Sequence, residues 1–76
     1  MVGMKLRQIN LIKTGERIQQ LRKERGLTAK QITDTLGLIL QTYYKWVWGK
    51  SIPSIDSLIG LADIFGVKID DIIVAE

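Results

Sequence analysis

Seventy-six residues suit one small domain, below the size at which most domains cluster, with room for one core but not for a large cleft assembled from several catalytic elements. Cysteine and histidine are both absent; disulfides, thiolate nucleophiles, the commonest general base and the commonest nitrogen ligand for metals are therefore missing, and the lack of cysteine fits a reducing, cytoplasmic setting. The net charge of +3 is unevenly spread, with ten Lys and Arg against three acids in residues 1–50 and one lysine against five acids in residues 51–76, so the basic part points to a polyanionic partner.

Residues 1–9 read as an N-terminal arm, loosely alternating from Met4 onward, and residues 10–76 as a single folded domain. Residues 1–5 lack the charged-then-apolar pattern of a signal peptide. No apolar run approaches the roughly 18–20 residues needed to span a bilayer, so a membrane partner is not expected. Five short helices are predicted, because Gly26, Gly37, Gly49 and Gly66 each follow a segment of helical periodicity, where glycine takes the left-handed conformation without a Cβ penalty.

The first helix starts after Asn10, a good N-cap, and runs to Arg25, with Leu11, Ile18 and Leu21 on its inner stripe. Gly15 on that side allows another helix to approach closely. Thr28-Ala29-Lys30-Gln31 reads as a capping box opening a second helix, with Ala29, Ile32 and Leu36 on one face. A third helix is expected over residues 41–48. There Tyr43, Trp46 and Val47 face the core, while Gln41, Tyr44, Lys45 and Trp48 share another face. Ser54 caps a fourth helix that is apolar almost all round, which predicts a central position with neighbours on several sides. Asp70 is expected to cap a short fifth helix, with Ile69 and Val74 as its hydrophobic staple.

Residues 28–49 carry the functional signal. Two short helices around a glycine, the second with an outward polar and aromatic stripe, form a helix-turn-helix pattern. A B-DNA major groove is about 12 Å wide and admits one helix, which must protrude and be braced from behind. Asp70-Asp71 lacks the spaced acids of a calcium loop. No paired carboxylates, phosphate-binding glycine loop or nucleophile–base pair is present, so neither catalysis nor a cofactor or metal is expected.

The sequence words Gly15-Glu16-Arg17-Ile18, Leu21-Arg22-Lys23-Glu24-Arg25-Gly26-Leu27-Thr28, Leu36-Gly37, Tyr44-Lys45-Trp46, Gly49-Lys50-Ser51-Ile52-Pro53-Ser54, Leu61-Ala62-Asp63 and Phe65-Gly66-Val67 occur in the order and spacing of a known family. The chain resembles the Cro/C1-type, XRE-like helix-turn-helix repressors over about residues 14–74. The resemblance implies an all-α, five-helix lambda-repressor-like domain that binds double-stranded operator DNA, usually as a homodimer, without enzymatic activity. Carried over by position, it implies base contacts from Leu40, Gln41, Thr42, Tyr44 and Lys45. It implies phosphate contacts around Thr28, Ala29 and Lys30 at the start of the second helix and from Lys50 and Ser51 in the loop after the third. Arg17 and Trp48 are further backbone candidates.

The chain also departs from that family. Ala29 stands where glutamine is common, Ile39 where Ser or Thr usually caps the third helix, and Leu40, Val47 and Trp48 where polar residues are common. Ile39, Leu40, Tyr44 and Trp48 could thus form an exposed apolar patch of the kind that marks protein interfaces. The alternative expectation is a protein-interaction module on a repressor-like scaffold, of antitoxin or anti-repressor type, using that patch for a protein partner. For a dimer, the C-terminal residues 69–74 or the N-terminal arm are the candidate contacts.

Overall fold

In the computed structural model, which describes residues 3–76, three of the four α-helices start where a capping side chain puts them. Met1 and Val2, the start of the expected arm, lie outside the described residues. Helix α1 spans Leu11–Glu24, α2 Ala29–Leu36, α3 Leu40–Val47 and α4 Ile55–Phe65. The Asn10 side chain accepts the Lys13 amide at 2.9 Å. Thr28 Oγ1 accepts the Gln31 amide at 3.0 Å while Gln31 Oε1 accepts the Thr28 amide at 2.8 Å, closing the capping box. Ser54 accepts the Ser57 amide at 3.1 Å. Such caps satisfy amides that the first helical turn leaves without acceptors. At the other ends of α2 and α4, Gly37 and Gly66 adopt φ of 70° and 68°, a conformation costly for any residue with a Cβ.

One core gathers the inner faces. Ile18 and Leu21 of α1, Ile32 of α2, Tyr43 and Trp46 of α3, Leu58, Leu61 and Phe65 of α4, and Ile72 are all buried. Each such side chain contributes about 1.5–3 kcal/mol relative to exposure. Helix α1 packs most extensively on α3, and Gly15 is the reason it can. A Cβ at Gly15 would lie 2.2 Å from the Trp46 carbonyl oxygen and 2.7 Å from that of Val47, so the backbones of the two helices are flush. Gly49, at φ 70°, lets the chain leaving α3 cross Ile12 just as closely, with a Cβ there meeting Ile12 Cγ1 at 2.8 Å.

A polar clamp fixes the same junction. The Tyr43 hydroxyl donates to Gln19 Oε1 at 2.6 Å and accepts from Arg22 Nε at 2.9 Å. Arg22 also donates to the Leu27 carbonyl at 2.7 Å. One guanidinium thus joins α1, the turn before α2, and α3.

The C-terminal residues depart from expectation. The fifth helix is absent. In its place stands a single 3-10 turn, Ile69–Asp71, so four α-helices occur among the described residues. Asp70 is exposed and caps nothing. The side chain that closes the turn is Asp71, which accepts the Lys68 amide at 3.0 Å. The turn ends because the chain then extends to meet the N-terminal segment. Gln8 and Glu76 exchange two backbone hydrogen bonds of 2.8 Å, and the Asn10 amide donates to the Val74 carbonyl at 2.8 Å. Ile9 and Ala75 form one antiparallel pair, and no β-strand occurs among the described residues. Val74 donates to Thr14 Oγ1 at 3.0 Å, so it serves this clasp and not a helical staple. An ion pair between Lys13 and Glu76 closes the clasp; its hydrogen bond lowers the Glu76 carboxyl below its ordinary range and raises the Lys13 ammonium.

Two further expectations fail for the same reason, that periodicity identifies a face but not what covers it. Leu11, at the outer end of α1, is exposed. Helix α4 is not enclosed: Ile55 and Ile59, one turn apart, are 71% and 47% exposed.

Candidate nucleic-acid interface

Helix α3 has two unlike sides. Its back is pinned, with Tyr43 and Trp46 buried and Val47 half-buried. Its outside carries two ridges at helical spacing. One is Leu40, Tyr44 and Trp48; the other is Gln41 and Lys45. Gln41 and Lys45 are exposed and make no side-chain hydrogen bond or ion pair among the described residues. An amide with both a donor and an acceptor and an ammonium with three donors are therefore available outward, matched to adenine and guanine edges respectively.

The apolar ridge is ordered. Leu40 is 42% and Trp48 61% exposed, and Ile39, just before the helix, is 65% exposed. Tyr44 is half-buried and stacks on Trp48 with ring centroids 5.5 Å apart at 27°. Lys50 Nζ lies 5.4 Å from the centre of the Trp48 ring, within cation–π range. Thr42 is half-buried beside the ridges. Ile39 provides no side-chain cap, so the first amides of α3 keep free donors.

The expected phosphate contacts differ in what they offer. Thr28 Oγ1 accepts the Gln31 amide in the capping box, which leaves its O–H donor for a phosphate. Ala29 is buried and has only its backbone amide to give. Lys30 pairs with Asp34 at 2.9 Å, but both side chains are largely exposed, and such i,i+4 pairs are worth only about 0.3–0.5 kcal/mol, so Lys30 can be recruited elsewhere at little cost. Lys50 is exposed and Ser51 half-buried in the loop after α3; the Ser51 amide donates to the Lys45 carbonyl at 3.3 Å. Arg17 stands apart. Its Nε donates to the Asp71 carbonyl at 2.7 Å and its Nη1 to Gln20 Oε1 at 3.2 Å, which ties it to the C-terminal turn and leaves its Nη2 donors unused among the described residues.

Sequence reasoning missed Arg22, which positions the interface without touching its outer surface. The usable signal was the core tyrosine, because a buried phenol needs a partner. It also missed the bare isoleucines of α4.

Two helices across a left-handed glycine turn, the second anchored behind and bare in front, define a helix-turn-helix protein. Residues 18–72 match the family described as Helix-turn-helix, and the chain belongs to that family, in its Cro/C1-type, XRE-like form. This is a family of DNA-binding transcription regulators and not an enzyme class. Among its relatives is the SPbeta prophage-derived uncharacterized HTH-type transcriptional regulator YonR of Bacillus subtilis, 36% identical over 56 residues, covering 74% of this chain and 52% of that protein. Another is the cryptic phage CTXphi transcriptional repressor RstR of Vibrio cholerae, 31% identical over 61 residues, covering 80% of this chain and 54% of that protein. The chain thus spans about half the length of these curated relatives. The crystal structure of the restriction-modification controller protein C.AhdI from Aeromonas hydrophila superposes with a TM-score of 0.74 at 22% identity, covering 82% of this chain and 94% of that one, a likeness of fold.

Proposed function

We propose that this chain is a sequence-specific, double-stranded DNA-binding transcriptional regulator, acting in the cytoplasm as a repressor, that lays α3 in the major groove. The observation that carries this reading is the outward pair Gln41 and Lys45, exposed and unengaged on a helix whose back is fixed by Tyr43 and Trp46. Lys30 and Lys50 and the first amides of α2 supply the phosphate grip, with Leu40, Thr42 and Tyr44 beside the bases. Arg17 supports the scaffold. Selection of bound duplexes from random DNA, followed by mobility shifts across a salt series, tests the proposal. Gln41→Ala and Lys45→Ala should each cost about 1–3 kcal/mol on the selected site and relax sequence preference at one position. Lys50→Ala should weaken binding to all sequences alike. It should also flatten the salt dependence, because one phosphate is no longer neutralised and roughly one fewer counterion is released. Absence of any shifted duplex at low salt would refute the proposal.

We further propose that the protein works as a homodimer joined through Ile55 and Ile59 of α4. This apolar face stands beside the two candidates suggested by sequence: in residues 69–74 Ile72 is already in the core, and in the arm Met4 and Leu6 are exposed while Gln8 is tied to the C-terminal segment.

A second reading has its own support in the exposed Ile39, Leu40 and Trp48. On that reading α3 captures a protein. Trp48→Glu should then abolish capture of the partner while leaving the melting temperature unchanged, and a variant that retains every partner rules the reading out.

A further inference from the structure

We infer that α3 also selects its sites by the 5-methyl groups of pyrimidines, through Ile39, Leu40 and Tyr44, at base positions other than those read by Gln41 and Lys45; this rests on the DNA-binding reading above. The ligand chemistry is a methyl group standing in the major groove, as carried by thymine or by 5-methylcytosine.

Three observations lead there. First, the leading edge of α3 is apolar. Ile39 and Leu40 are 65% and 42% exposed, and neither can form a hydrogen bond with its side chain, so the residues at the tip of the inserted helix offer only van der Waals and hydrophobic contact. A thymine methyl is the apolar feature a base pair shows in the major groove.

Second, the ridge is held ready. Tyr44 sits against Tyr43 edge-on, at 5.3 Å and 82°, and face to face with Trp48. With Lys50 over the indole, Tyr44 has little freedom left to lose on binding, and ordering made in advance raises affinity.

Third, the charge around the ridge favours nucleic acid over an apolar protein surface. Lys45 and Lys50 flank it, and neither is paired with a carboxylate among the described residues. A methyl-bearing pyrimidine edge bordered by phosphates is apolar at the centre and anionic at the sides, as this surface requires.

The magnitude is readable. Removing one methyl-sized group from an apolar contact corresponds to about a fourfold loss of affinity. The experiment uses the full chain and the duplex enriched from random DNA. Each thymine is replaced in turn by deoxyuridine, which deletes the methyl and keeps the base pair and its hydrogen-bonding groups. In a parallel selection, cytosine is replaced by 5-methylcytosine. The expected result is a loss of about fourfold or more at one or two positions, or a matching gain from 5-methylcytosine. That effect should shrink in Leu40→Ala, and a cooperative melt well above the assay temperature shows that the change is not one of folding. The thymine arm and the 5-methylcytosine arm identify which base supplies the methyl.

Tight binding in which every uracil and 5-methylcytosine substitution changes affinity less than twofold overturns methyl selection and leaves the regulator reading standing. Failure to bind any duplex at low salt overturns both, and returns the apolar ridge to a protein partner.

Discussion

Tyr43 shows how one side chain can serve core and polar clamp together. Its ring is fully buried and its hydroxyl is satisfied on both sides by Gln19 and Arg22. Tyr43→Phe keeps the ring and takes one hydrogen bond each from Gln19 and Arg22 in a half-buried setting, leaving them their own weaker contact at 3.2 Å. It should lower stability by about 1–2 kcal/mol in urea unfolding, since two hydrogen bonds are lost, one of them from a charged donor. The same phenol makes a pH prediction. Burial pushes it above its ordinary value near 10, against a smaller opposing effect of Arg22. Below that ordinary value both folded and unfolded chains hold the proton, and the full stability is present. As the pH rises past it, the unfolded chain releases the proton first, so stability falls until the folded phenol also ionises. Urea midpoints measured upward from neutral pH should decline through this range, and the Tyr43→Phe protein should decline less.

At the scale of elements, the seating of α3 on α1 depends on an absent Cβ. Gly15→Ala places a methyl against two carbonyl oxygens and a carbonyl carbon, at 2.2, 2.7 and 2.9 Å. These are backbone atoms and cannot rotate away, so α3 must move as a body. The variant should lose about 3 kcal/mol or more despite its better helix propensity, at the upper end of overpacking costs. Gly60→Ala is the control. Its Cβ would meet Leu36 Cδ2 at 2.4 Å, the end of a half-buried side chain that can change rotamer. It should stay within about 1 kcal/mol of the parent, because the better helix propensity of alanine offsets the rotamer change. Thermal melts of the two variants side by side check the contrast. A destabilisation as large for Gly60→Ala as for Gly15→Ala would show that helix spacing is not what Gly15 provides.

What was legible in the sequence divides along the same line. Local chemistry was readable: Asn10, Thr28 with Gln31, and Ser54 announce helix starts from their own neighbours, and Gly37 and Gly66 announce ends. The buried back and open front of α3 were readable from spacing. Decisions made by distant residues were not. The turn at Ile69–Asp71 stops short of a helix because Val74 and Glu76 must reach Asn10 and Gln8, partners more than sixty positions away in the chain. Arg17 resembles a surface cation until the Asp71 carbonyl is brought to it by that turn.

The whole molecule separates its surfaces. The exposed ridge of α3 lies in the basic part of the chain and the bare isoleucines of α4 in the acidic part, so the proposed DNA contact and the proposed self-association draw on different residues. A single inserted helix reads only a few base pairs. Two copies related by a twofold axis would place their α3 helices in successive major grooves, with half-sites about 10–10.5 base pairs apart. Ile55→Glu puts a charge at the centre of the proposed contact and leaves the core and α3 untouched. Sedimentation should then show a monomer where the parent shows a dimer, with the same melting profile once protein concentration is accounted for. Affinity for a two-half-site operator should fall by a factor on the order of 10²–10⁴, the advantage that disappears when a second binding event ceases to be intramolecular. Affinity for an isolated half-site should not change. Equal weakening on both DNAs would mean that Ile55 acts on the reading helix itself, and a dimer that survives Ile55→Glu would remove α4 as the joint.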